Sequence, residues 1–61
     1  MKKVLVTWIG TGASGVHTYI RATYEVSGFV VVKFLEITAD KAVELADSVG
    51  KEIDVPIDIL K

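Results

Sequence analysis

Apolar and polar positions alternate through most of this chain, and the places where the alternation breaks divide it into elements. Lys2 to Ile9 is rich in β-branched and aromatic residues and poor in helix formers, which predicts a first strand over 2–9. A glycine-rich stretch, Gly10 to Gly15, ends it. From Val16 to Val26 the even positions Val16, Thr18, Ile20, Ala22, Tyr24 and Val26 share one face, and His17, Tyr19, Arg21, Thr23 and Glu25 share the other. That period predicts a strand over 16–26. Val16, Ile20 and Tyr24 also recur at helical spacing, and propensity decides between the two, because only Arg21, Ala22 and Glu25 are good helix formers there. Ser27-Gly28 is a break of hairpin length, and Phe29 to Ile37 reads as a third strand over 29–37.

The pattern then changes period. Thr38 offers an N-cap, Asp40 suits the first turn and Gly50 marks a stop, predicting a helix over 39–49. Its apolar stripe is Ala39, Ala42, Val43, Ala46 and Val49, with Leu45 at the edge. Ile53, Val55, Ile57 and Ile59 alternate with Asp54, Pro56 and Asp58, which predicts a last strand over 53–60, held at a sheet edge by Pro56. The fold class is therefore α+β: a mainly antiparallel four-stranded sheet with one helix packed on one face, the whole of 1–61 forming a single small domain.

Parity then assigns side chains to faces. If Val26 pairs with Phe29, one face of the hairpin carries Val16, Ile20, Tyr24, Val26, Phe29, Val31, Leu35 and Ile37 and receives the helix. The other carries Tyr19, Arg21, Thr23, Val30, Val32 and Phe34. If Ile9 faces Val16 across the glycine loop, Val4, Val6 and Trp8 join this second face; a slip of one residue takes Trp8 into the core instead. One helix covers one side only, so Trp8, Tyr19, Arg21, Val30, Val32 and Phe34 are expected to form an open patch, an interface with a protein partner or, most simply, with a second copy in a homodimer.

Composition sharpens this. Half of the 61 residues are apolar, a large share for a chain with so little interior, and no cysteine is present to cross-link it. Stability has to come from dense packing or from association. Seven basic and eight acidic residues leave a net charge of −1, so aromatics with Arg21 on an open sheet could stack single-stranded bases, but no basic excess supports nucleic acid as the partner. The apolar run after Lys2-Lys3 is too short for a secretion signal and no segment approaches a membrane span, so a cytoplasmic protein is expected.

Gly10-Thr11-Gly12-Ala13-Ser14-Gly15 reads GxGxxG directly after a strand. In a dinucleotide-binding unit the third glycine opens a helix whose N–H groups face the pyrophosphate. Ile9 to Val16 resembles the nucleotide-binding turn of flavin-dependent monooxygenases. The resemblance implies a βαβαβ fragment holding NAD or FAD through Gly10, Gly12, Gly15 and Glu36, the last at the position of a ribose-binding acid. It covers about a dozen residues, and the segment after Gly15 lacks the alanines and leucines usual in such a helix. The reading these residues favour is a hairpin loop, in which glycine supplies positive φ and Thr and Ser cap the turn, with the dinucleotide fragment as the alternative. The overall pattern also resembles compact phage-type inhibitors that dock on a larger protein, and equally a designed domain.

Other chemistry is thin. Ser14 and His17 have the types of a nucleophile and base but no carboxylate with a sequence claim on them, so no catalytic residue is assigned and no enzyme activity is expected. One histidine and no cysteine leave a transition metal without its usual ligands.

Overall fold

A computed structural model describes residues 1–60 of the chain. Four strands form one sheet: β1 (Lys2–Thr11), β2 (Thr18–Val26), β3 (Phe29–Ile37) and β4 (Glu52–Val55), in the spatial order β3-β2-β1-β4 and antiparallel throughout. Between β3 and β4 lies the one α-helix of the described residues, α1 (Ala39–Glu44), followed by a 3₁₀ turn at Ala46–Ser48; a second 3₁₀ turn, Ile57–Leu60, follows β4. The α+β architecture expected from the alternation is the architecture observed.

The β2–β3 hairpin follows the expected register. Val26 pairs with Phe29 across a two-residue turn in which Ser27 (φ 51°) and Gly28 (φ 83°) both adopt left-handed conformations. That is the turn whose twist matches the flanking strands; glycine enters it without a steric penalty, and serine at the first position has to tolerate it.

The β1 register combines both outcomes weighed from sequence. Val6 pairs with Ala22 but Trp8 pairs with Arg21, so Thr7 is the extra residue of a β-bulge. The bulge reverses parity halfway along the strand. Val4 and Val6, expected on the open face with Trp8, are instead fully buried, while Trp8 stays on the open face and Ile9 packs against the core. Thr7 is fixed in place by Arg21, whose Nε donates to Thr7 Oγ1 at 2.8 Å, and the same hydroxyl donates to the Arg21 carbonyl at 3.2 Å.

The core is built from Val4, Val6, Ile20, Ala22, Tyr24, Leu35, Leu45 and Val55. Fully burying a residue such as Ile20, Val4 or Val6 contributes about 1.5–3 kcal/mol. Val16, Val26 and Phe29, assigned by parity to this side, are exposed: Val16 lies in the loop before β2, and the other two flank the hairpin turn beyond the reach of the covering segments.

Those covering segments differ from expectation in length and in the residues they bury. Thr38 caps α1 as predicted, its Oγ1 accepting from the Lys41 N–H at 3.1 Å, yet the helix stops at Glu44 rather than Val49. The chain leaving β3 has to cross β2 and β1, about 14 Å at three inter-strand steps, to reach β4. A tighter, longer-pitched turn at Ala46–Ser48 completes the crossing, and the Gly50 N–H then docks on the Val6 carbonyl at 2.7 Å. This path turns Leu45 onto the sheet and leaves Val43 and Val49 of the expected stripe exposed. The last strand is shorter too. Pro56 ends β4 at Val55, and residues 57–60 turn back so that the Tyr24 hydroxyl donates to the Leu60 carbonyl at 3.4 Å. Among the described residues no helix is long and apolar enough to cross a membrane.

Candidate functional site

Among the described residues all the covering structure lies on one side of the sheet, and the other side is uncovered. Its centre is set by β1, β2 and β3 in register: Trp8 beside Arg21, and Arg21 beside Phe34. The bulge at Thr7 is what turns Trp8 to this side. Its indole meets Phe34 edge-on, ring centroids 6.0 Å apart at 83°, a favourable aromatic geometry. Val30 and Val32 continue the row along β3. Exposure is 68% for Val30, 58% for Val32 and for Phe34, and 38% for Trp8. Tyr19 and Arg21, half-buried, complete the set, so all six residues read from the sequence as an interface share one face.

Polar neighbours frame this row. Arg21 is half-buried and turned toward Thr7, so it lies flat on the sheet. Glu52 and Asp54 line the far edge, with Lys3 3.5 Å from Asp54 in an exposed ion pair. The apolar exposure is thus concentrated on β3, the outermost strand.

The glycine motif belongs to the same face. A β-carbon on Gly10 would overlap Cζ2 of the Trp8 indole, and one on Gly12 would lie 3.0 Å from Cε2 of Tyr19. These two glycines are seats for aromatic rings; sequence reasoning read them as part of a hairpin loop, with a phosphate loop as the alternative, and missed this use. The signal was present in the spacing, since Trp8 and Gly10 are two apart on one strand and fall on one face. Gly15 (φ 73°) serves the loop turn, its N–H donating to the Gly12 carbonyl at 2.9 Å. The helix that a dinucleotide loop needs after Gly15 is not formed, because Thr18–Val26 is strand β2 and pairs on both sides. Of the residues that would carry a ribose contact, Glu36 is engaged by His17, Nδ1 to Oε2 at 2.7 Å.

That His17–Glu36 pair borders a shallow recess of about 580 Å³ lined by Val16, Thr18, Ile37, Thr38 and Ala39. Ser14 and His17 are not brought together: the Ser14 hydroxyl accepts from the Val16 N–H at 3.3 Å, and His17 turns to Glu36. Among the described residues no three His, Cys, Asp or Glu side chains gather as a metal site would require.

Fold and face together define a small α+β domain with an uncovered, aromatic-bearing sheet surface. No family model matches the chain, and neither a curated protein nor a solved structure matches it.

Proposed function

We propose that this chain is a non-enzymatic interaction domain that works by self-association or by binding a protein through the open face of its sheet. The observation that carries the reading is the contiguous exposure of Val30, Val32 and Phe34, joined to Trp8 by an edge-on ring contact. An uncovered apolar surface of this kind on a chain with a small core favours burial against another surface. The positioning of Trp8 supports it further: a bulge and a bare glycine both act to lay a tryptophan flat on the exposed side, a residue type enriched where interfaces draw their affinity.

Sedimentation velocity over a concentration series, with Trp8 emission read on the same samples, tests this. The reading requires a larger species to grow with concentration, or with an added protein partner; burial of the whole face shifts Trp8 emission to the blue, whereas burial of its β3 margin alone leaves that emission unchanged. A Phe34→Ser variant, altered at an exposed position, should keep the fold and lose the association. A chain that associates with Trp8 still fully hydrated and with Phe34→Ser indistinguishable from the parent would contradict it.

A further inference from the structure

The outer edge of β3 carries a second, independent observation. Because Val26 and Phe29 close a two-residue turn as a hydrogen-bonded pair, Val31, Lys33, Leu35 and Ile37 exchange their backbone bonds with β2. The N–H and C=O groups of Val30, Val32, Phe34 and Glu36 therefore point away from the sheet, and among the described residues no strand pairs with them. The same residues carry the exposed apolar row. Strands at an edge are usually kept from pairing by shortness, proline, a bulge or charge. β3 has nine residues, no proline and no bulge, and seven of the nine are apolar.

We propose that β3 pairs antiparallel with β3 of a second copy, making one continuous eight-stranded sheet about a two-fold axis through Val32. This rests on the reading of the chain as a self-associating domain and names its partner and geometry. A strand edge is self-complementary only when its copy runs antiparallel, and parity then allows the axis at Val32, Lys33 or Phe34. An axis at Lys33 sets the two Lys33 side chains directly opposite each other and Glu36 against Val30 of the partner subunit, and like charges so placed are unfavourable. An axis at Phe34 sets Val32 against a carboxylate, Glu36 of the partner subunit. The Val32 axis instead gives an unbroken apolar row, Val30 beside Phe34, Val32 beside Val32 and Phe34 beside Val30, with Glu36 left in water at the end. Seven paired residues per strand span roughly 23 Å, and such an edge with its flanking side chains buries about 500–600 Å² per copy, close to the lower limit for a specific interface. The dimer is accordingly expected in the range of about 1–100 µM.

Residue-resolved amide exchange at 5 µM and at 1 mM, alongside sedimentation, provides the test. The N–H groups of Val30, Val32 and Phe34 should exchange at least tenfold more slowly at the higher concentration, with that of Glu36 beyond the paired stretch and those of Glu52 and Asp54 on the other edge unchanged. Val32→Pro, which removes one outward donor and no bond to β2, should weaken the dimer about 100-fold and reduce the protection accordingly while far-UV circular dichroism stays that of the parent. Association with Trp8 shielded but the three amides unprotected would overturn the edge pairing and leave the interface reading standing. A chain monomeric throughout the range would overturn the edge pairing and self-association together, leaving binding of a different protein as the surviving part of the proposed function.

Discussion

The two edges of this sheet are built in opposite ways. β4 is four residues long, is stopped by Pro56, and carries Glu52 and Asp54 at the positions whose backbone groups face outward. β3 is nine residues long, has neither proline nor bulge, and carries Val30, Val32, Phe34 and Glu36 at the corresponding positions. One edge combines several features that discourage strand addition, and the other has only the charges of Lys33 and Glu36. Their attachment differs as well. β3 is held through a two-residue turn by its sequence neighbour, whereas β4 is delivered by a crossover whose single buried anchor is Leu45. The lesson is that the protected edge depends on tertiary packing, and the unprotected edge is the more autonomous part of the fold.

The largest effect should come from Leu45→Ala. It removes the one buried side chain of the crossover and should cost about 2–4 kcal/mol in urea unfolding. Amide exchange in this variant should rise first in β4 and last in the β2–β3 hairpin; a uniform rise would erase the distinction between the edges. Next comes a matched pair of prolines. Val32→Pro should weaken association about 100-fold, since each dimer loses donors on both copies at about 1 kcal/mol or more apiece. Asp54→Pro, also at an outward-facing N–H, should leave it within about twofold.

How much of this was legible in the sequence depended on range. The hairpin was, because Ser27-Gly28 and a strict period of two are local signals and the pairing of Val26 with Phe29 follows from them. The bulge was not. Thr7 looks like any strand residue, and only its exchange of hydrogen bonds with Arg21, fourteen positions away, marks it as the extra one. For that reason Val4 and Val6 could not be assigned to the core while Trp8 stayed outside. The N-cap at Thr38 was readable, but the end of α1 at Glu44 is imposed by the distance the crossover has to cover. The open face was legible from parity on β2 and β3, and Trp8 was expected on it too, though through a register that would have brought Val4 and Val6 with it.

Smaller effects follow from the ring seats and the surface charges. Gly10→Ala drives a methyl group into the Trp8 indole, so it should cost about 1–2 kcal/mol and shift Trp8 emission. If the variant is neutral with an unchanged spectrum, the indole does not rest on Gly10. Lys3→Ala breaks an exposed ion pair on the β4 side and should change thermal stability by less than about 0.5 kcal/mol, with no effect on association.

The most direct measurement is an isotope-filtered NOE experiment on an equimolar mixture of ¹³C-labelled and unlabelled chain at 1 mM. An antiparallel β3 pair centred on Val32 places Val31 of one copy opposite Lys33 of the other as a non-hydrogen-bonded pair, their Cα atoms about 4.5 Å apart. A strong intermolecular Hα–Hα cross-peak between Val31 and Lys33 is the predicted result. Cross-peaks confined to the side chains of Trp8, Val32 and Phe34, with none between Hα atoms of β3, would show the copies stacked face to face and contradict it.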